Sequence, residues 1–249
     1  MRKLFIGILA IAVVFGMSMG VMAEEFTLET EAEIDQIGDE NVANINQNDY
    51  SGGNSPNYVS LLQEGSWNVA NFEQMGDTGV IDAIQYDAWA SIMNVSQGPS
   101  WNHNATLRQR YTDSTTINLN QQSATAVLVQ EHEENSTINV TQDGFGTFPG
   151  EPNKGDFVSV VQEYGSNNLV NISQTSEAND DRPRSEVFVT QEWGEDNEIN
   201  ISQDGRAHLA TVYQTGMENT ANVAQFNENN IVDISQDGED NTVNVTQND

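Results

Sequence analysis

The chain has 249 residues, 38 acidic and 8 basic, and a formal charge of −30. That charge argues against nucleic-acid binding, which needs a cationic surface to meet the phosphates. The chain has no cysteine, so no disulfide can stabilise it, and only 37% of its residues are hydrophobic, which is little for a globular core.

The first 23 residues have the pattern of a secretory signal peptide. Arg2 and Lys3 precede an apolar run over residues 4–14, and the small residue Ala23 comes directly before the acidic Glu24. We therefore predict cleavage after Ala23, export, and a mature formal charge of −32. An uncleaved membrane anchor is the alternative interpretation, and no other segment approaches the length of a membrane span. A short leader, residues 24–31, would precede a repeat domain, residues 32–249.

Glutamine recurs throughout the repeat domain as the last residue of a tripeptide that begins with an apolar residue. Such repeats indicate a stacked architecture in which each unit contacts its neighbours. The eighteen copies end at Gln36, Gln47, Gln63, Gln74, Gln85, Gln97, Gln109, Gln121, Gln130, Gln142, Gln162, Gln174, Gln191, Gln203, Gln214, Gln225, Gln236 and Gln247.

The spacing of these glutamines shows how the copies pair. Taken two at a time, the steps within a pair are 11 or 12 residues, whereas the steps between pairs vary from 9 to 20 residues. One connection is fixed and the other tolerates insertions, so the unit is a pair of strands and there are nine units. Longer connections fall between units, near residues 48–57, 143–156 and 175–185.

Each copy alternates apolar and polar residues before its glutamine. Ile199 and Ile201 before Gln203 are an example, and Gly with Asp or Glu follows many of the glutamines. Strict alternation predicts a strand with one buried face, and glycine suits the tight turn. The predicted fold class is all-β: a β-solenoid of about nine strand–turn–strand rungs with two facing parallel sheets.

Glutamine at an inward position is costly unless its amide is paired. In a solenoid, the equivalent amides one rung above and one below pair with it and form a ladder. Asparagines six residues before a glutamine predict a second ladder at the turn, interrupted in the middle rungs at Ser91, His103, Thr115 and Ser136. These asparagines are Asn41, Asn68, Asn168, Asn197, Asn219 and Asn241, with Asn230 holding the same place before Gln236.

The unit that runs from Gln36 through Gly38, Asn41, Ala43 and Ile45 to Gln47 resembles the curlin repeat. The resemblance extends from about Ala32 to Gln247. It implies a structural subunit of extracellular, curli-like functional amyloid fibres that serve the biofilm matrix and cell adhesion. It also implies that the glutamine and asparagine ladders are the residues of self-assembly.

The same resemblance implies the partners. They are further copies of this chain in a homopolymeric fibre, a nucleator subunit and an outer-membrane export pore, with no membrane insertion of the mature chain. This chain departs from the familiar pattern in its short leader and in its central rungs, where the glycine of the turn is missing after Gln85, Gln109, Gln121 and Gln130. The central rungs are therefore expected to be less regular.

Two other classes of function remain as alternatives. A soluble solenoid adhesin or fibre nucleator would use the inserted connections as a binding face. An enzyme on a solenoid scaffold would need a cluster of different residues that departs from the repeat at one place. His103, His132 and His208 lie in separate units and no metal-binding spacing is present. We therefore expect no enzyme activity, no catalytic residue, no metal site and no cofactor.

Overall fold

The computed structural model describes residues 31–48, 57–76, 79–98, 104–122, 124–144, 156–176 and 184–248. The predicted signal peptide, nearly all of the leader and most of the three inserted connections lie outside these residues. No helix in the described ranges is long and apolar enough to cross a membrane.

Eighteen strands follow one another along the described chain, in agreement with the predicted nine pairs. They are β1 (Glu31–Ile37), β2 (Val42–Asn48), β3 (Tyr58–Ser66), β4 (Val69–Met75), β5 (Val80–Trp89), β6 (Ile92–Gln97), β7 (Asn104–Arg110), β8 (Thr116–Gln122), β9 (Thr125–Glu134), β10 (Thr137–Gly144), β11 (Phe157–Ser166), β12 (Leu169–Ser176), β13 (Glu186–Glu195), β14 (Glu198–Arg206), β15 (Leu209–Met217), β16 (Thr220–Glu228), β17 (Ile231–Glu239) and β18 (Thr242–Asn248).

The odd-numbered strands form one nine-stranded sheet and the even-numbered strands form another, each in sequence order. Every pairing is parallel, and every register places glutamine opposite glutamine, from Gln36 opposite Gln63 to Gln225 opposite Gln247. Each strand pair is one rung. The predicted β-solenoid of nine rungs with two parallel sheets is confirmed.

The core lies between the two sheets and consists of the two apolar residues that precede each glutamine on the inward face. Thirty of these side chains form one buried cluster, while Ile34, Ala43, Ile45, Val243 and Val245 are only partly buried. The partly buried residues all belong to the first and ninth rungs. Because each rung is covered by its two neighbours, the terminal rungs expose core that a further rung would bury.

The turns within the pairs come in two lengths. The two rungs at each end use 11-residue steps with glycine at positive φ: Gly38, Gly65, Gly216 and Gly238. The five middle rungs use 12-residue steps, and the added residue lies in the left-handed region at Asp87, Tyr111, His132, Tyr164 and Trp193. The register shifts by one residue where the two classes meet, between β3 and β5 and between β13 and β15. The expected irregularity of the middle rungs is therefore confined to their turns.

Candidate functional site

The glutamine ladders run unbroken along both sheets. In each sheet, the Nε2 of one glutamine donates to the Oε1 of the glutamine in the next rung, at 2.5–3.3 Å. The chain of bonds passes through Gln85, Gln109, Gln121 and Gln130 although their turns lack the usual glycine. The glutamine side chains of the inner rungs are buried, so each amide depends on the glutamines above and below it for its partners.

Every bond in these ladders points the same way along the rod. Gln36 and Gln47 in the first rung donate to the second rung, and the described residues donate no hydrogen bond to their Oε1 atoms. In the ninth rung, Gln236 and Gln247 accept from the eighth, and their Nε2 atoms donate only to backbone carbonyls. The first rung therefore presents acceptors and the ninth rung presents donors.

The turn asparagines form a second ladder, but its partners are backbone groups. The Oδ1 of Asn197 accepts the Asn219 backbone N–H at 2.9 Å, and its Nδ2 donates to the Gly216 carbonyl at 2.9 Å. The same two bonds to the next rung recur at Asn41, Asn68, Asn168 and Asn219. Asn241 in the last rung accepts no bond from a further rung and bonds back to Asn219. Each asparagine side chain therefore links its turn to the turn of the following rung by two hydrogen bonds.

The expectation that Asn230 belongs to this ladder is wrong. Asn230 lies between β16 and β17, at the opposite edge of the rod, where its Nδ2 donates to the Phe226 carbonyl at 2.6 Å. Its own carbonyl accepts from the Leu209 backbone, as the His208 carbonyl does from Glu186. Residues six positions before a glutamine occur both in the turn within a rung and in the connection between rungs. Sequence spacing alone therefore does not distinguish the two edges of the rod.

Where Ser136 stands in place of a ladder asparagine, Glu133 supplies the link to the asparagine of the next rung. Glu133 is 2% exposed, and its Oε2 accepts hydrogen bonds from the Ser136 hydroxyl at 2.5 Å and from the Asn168 Nδ2 at 3.1 Å. Oε1 lies beside the Gly165 backbone but has no partner in hydrogen-bonding geometry among the described residues. Burial raises the pKa of Glu133, against the lowering effect of its hydrogen bonds to Ser136 and Asn168 and of the nearby Gly165 backbone N–H.

We expect Glu133→Gln to stabilise the chain at neutral pH. Because the folded-state pKa is raised, the glutamate contributes most stability below its unfolded pKa and loses it as the pH rises through the folded value. The amide stays neutral and retains the acceptor oxygen. The expected gain is about 1–3 kcal/mol at pH 7, because the variant no longer buries a charged group. Urea unfolding of both forms at pH 4 and pH 7 would measure it, and an equal difference at the two pH values would contradict the assignment.

A third ladder, which the sequence analysis missed, lies on the outer face of the even-numbered sheet. One asparagine in each rung donates its Nδ2 to the Oδ1 of the next at 2.8–2.9 Å, in the same direction as the glutamines. The available signal was an asparagine three residues before the second glutamine of all nine units: Asn44, Asn71, Asn94, Asn118, Asn139, Asn171, Asn200, Asn222 and Asn244.

No group of three or more His, Asp or Glu side chains in the described ranges is arranged to hold a metal ion.

Comparison with known proteins supports the repeat assignment. The family model described as the curlin associated repeat matches residues 194–226, which run from the turn of the seventh rung through β16 in the eighth. Comparisons with curated proteins and with solved structures gave no match. The matched segment contains Gln203, Gln214 and Gln225 and the turn residues Asn197 and Asn219, which all make ladder bonds. The chain thus carries a curlin-family repeat at residues 194–226, within a solenoid of nine strand pairs.

Proposed function

We propose that this chain is a non-enzymatic structural subunit that stacks end to end into extracellular, curli-like amyloid fibres of a biofilm matrix with a role in adhesion. The complementarity of the two ends of the rod carries this proposal. A ninth rung placed on the first rung of another copy would bring donor amides onto acceptor oxygens in both glutamine ladders and in the outer asparagine ladder. A contact of this kind does not close on itself and gives an open filament.

The residue-by-residue match at the ends supports the same proposal. With Gln236 opposite Gln36, the turn glycines Gly238 and Gly38 and the turn asparagines Asn241 and Asn41 would also be opposite each other. Both end turns have the 11-residue length. Among the described residues, no strand pairs with the outward edges of β1, β2, β17 and β18. Such edges are templates for further strands.

The contact would also bury core that is now partly exposed. Val243 and Val245 in the ninth rung would lie over Ala43 and Ile45 in the first, and all four side chains are only partly buried in the single chain. Burial of apolar surface contributes roughly 25 cal/mol per Å². Stacking would therefore add hydrophobic stabilisation to the hydrogen bonds of the ladders.

Fibre growth of the mature chain, beginning at Glu24, tests the proposal. We expect fibres that bind an amyloid dye and give a meridional diffraction spacing of about 4.7–4.8 Å. A chain that folds as a β-rich monomer and stays soluble when seeded with its own fragments would rule the fibre out. The alternative would then be a soluble adhesin or a nucleator. Capture of a nucleator subunit and passage through an outer-membrane pore are further parts of the proposal.

Acidic residues at the proposed contact should control the rate of assembly. The register that pairs the ends would bring Glu33, Asp39 and Glu40 of one copy opposite Asp233, Glu239 and Asp240 of the next. Two like charges about 4.8 Å apart repel by about 0.9 kcal/mol in water. We expect E33Q/D39N/E40Q to lower the critical concentration for growth by about 10- to 100-fold at an ionic strength of about 0.1 M.

A matched variant separates this effect from total charge. The triple variant D82N/D143N/E163Q removes the same number of charges from the third, fifth and sixth rungs, away from the ends. We expect it to change the critical concentration by less than about threefold, because charges farther apart than the Debye length of about 10 Å are screened. Equal effects of the two triple variants would contradict the proposed register.

A further inference from the structure

The exposed aromatic side chains of the rod are concentrated on one edge. We call it the turn edge; it consists of the residues that join the two strands of each rung. All the tryptophan and tyrosine side chains that are strongly exposed in the described ranges lie there: Trp67, Trp89, Tyr111, Tyr164 and Trp193, each 42–66% exposed. A patch of this kind on an otherwise acidic rod indicates an interaction surface.

The rings on this edge stack along the rod axis. His132 stacks on Tyr111 with ring centroids 5.1 Å apart and on Tyr164 at 4.6 Å, and Tyr164 stacks on Trp193 at 4.4 Å. Tyr86 meets Tyr111 edge-on at 5.3 Å. The stack therefore spans four rungs with one ring in each, and Tyr86 extends the row edge-on into a fifth.

This arrangement requires an unfavourable backbone conformation. Tyr111, His132, Tyr164 and Trp193 have φ between 52° and 59°, which costs a bulky residue about 1–2 kcal/mol relative to glycine. The four end rungs form their turns with glycine and without the added residue. A rung can thus form this turn without the unfavourable backbone conformation. Ring stacking contributes about 0.5–1.5 kcal/mol per pair and offsets the free-energy cost of that conformation only in part.

Asp113 and Glu134 lie in a column parallel to the stack, two residues further along the turn than Tyr111 and His132. Backbone bridges align Trp89 with Asp113 and Asp113 with Glu134. A trough of about 470 Å³ lies between this column and the rings of Tyr111 and His132. Its lining includes the buried Glu133, whose Oε1 has no hydrogen-bond partner there. The nearby Arg110 is held by Glu131 at 2.8 Å and does not neutralise the trough.

We propose that this trough binds arginine side chains of an extended polypeptide partner. A guanidinium group can donate two parallel hydrogen bonds to a carboxylate of Asp113 or Glu134. Its planar cation is also attracted to aromatic rings such as those of Tyr111 and His132. Arginine fits better than lysine because the ammonium group lacks the planar fork.

The test is binding of a peptide of alternating arginine and serine to the unassembled mature chain, measured by calorimetry. We expect D113N/E134Q to weaken binding at least tenfold. We expect the matched variant E73Q/E198Q, which removes two charges from the outer face of the even-numbered sheet, to weaken it less than twofold. The lysine–serine peptide should bind at least fivefold more weakly than the arginine peptide.

Three results would overturn the proposal. They are no binding of the arginine peptide, equal losses in the two double variants, and equal binding of the arginine and lysine peptides. The last two would show general attraction to an acidic rod. Binding of a partly deacetylated chitin oligomer in place of the peptide would assign the trough to an amino polysaccharide and would equally reject a polypeptide partner. The measurement uses unassembled chain, so it does not depend on fibre growth.

Discussion

Replacement of Gly238 by alanine should stop fibre growth while leaving the rod folded. In each glycine turn that is covered by another rung, an added Cβ would lie within about 2 Å of the next carbonyl oxygen: for Gly216, the Gly238 oxygen at 2.0 Å. A Cβ on Gly238 itself meets only the Asn241 Nδ2, at 3.5 Å. In the proposed stack, however, it would meet the Gly38 carbonyl of the next copy. We expect the critical concentration for growth to rise at least about 100-fold, equivalent to about 2.8 kcal/mol.

A mixing experiment distinguishes a blocked end from a misfolded chain. The first rung of Gly238→Ala is unchanged, so the variant should still add to the ninth rung of a wild-type fibre and then stop its growth. We expect substoichiometric amounts of it to shorten wild-type fibres at unchanged secondary structure by circular dichroism. A variant that grows like the wild type would refute the proposed register of the ends, and a variant that neither grows nor terminates fibres would indicate loss of the fold.

Gly216→Ala provides the matched comparison inside the rod. Its Cβ would clash with the Gly238 oxygen within the same chain, and its φ of 101° is unfavourable for alanine. We expect a loss of about 1–3 kcal/mol in the free energy of unfolding from strain alone, measured by urea denaturation. Gly238→Ala shares the strain but not the clash, so it should cost less. Equal losses would show that the space above Gly216 is not limiting.

Replacement of Gln162 by leucine should cause the largest loss of stability by removal of a side-chain amide. Gln162 accepts from Gln130 at 2.8 Å and donates to Gln191 at 2.6 Å, and all three side chains are at most 1% exposed. The substitution would leave the Gln130 Nε2 and the Gln191 Oε1 without their ladder partners in a dry core. Each such group costs about 1–3 kcal/mol, so we expect a loss of about 2–6 kcal/mol in the free energy of unfolding.

The matched control is Gln36→Leu in the first rung. Gln36 is only partly buried and makes one ladder bond, to Gln63 at 2.6 Å. Its removal leaves one oxygen unpartnered, and we expect a loss of about 1 kcal/mol. Urea unfolding of both unassembled variants makes the comparison. Similar small losses at both sites would mean that the ladders do not hold the rungs together.

The glutamine ladders and the register of the sheets follow directly from the sequence. An alternating strand has one inward face, and a stack of rungs aligns equivalent positions. Once glutamine ends each apolar alternation, as in Ile201-Ser202-Gln203, the inward residues and their partners in the next rung are determined. A one-residue slip in register would turn Ile199 and Ile201 to water, and a two-residue slip would place Gln203 opposite an apolar side chain. The structure has neither slip.

The turns could not be predicted to the same extent. A polar residue near a turn has several backbone groups within reach, and which of them it bonds depends on the path of the chain. Asn197 therefore bonds to the backbone of the next turn rather than to an asparagine amide, and Asn230 lies at the other edge of the rod. The outer ladder through Asn139 was overlooked because an exposed polar position does not by itself imply a partner.

By itself, the sequence determined the repeat unit, the pairing of strands and the inward face, because these depend on periodicity alone. Only the tertiary structure decided which groups meet between rungs: the common direction of the ladders, the left-handed conformation of the added turn residue and the aromatic stack around His132. These features depend on contacts between residues some 20 to 30 positions apart, and side-chain direction and turn geometry set such contacts only after the rungs are stacked.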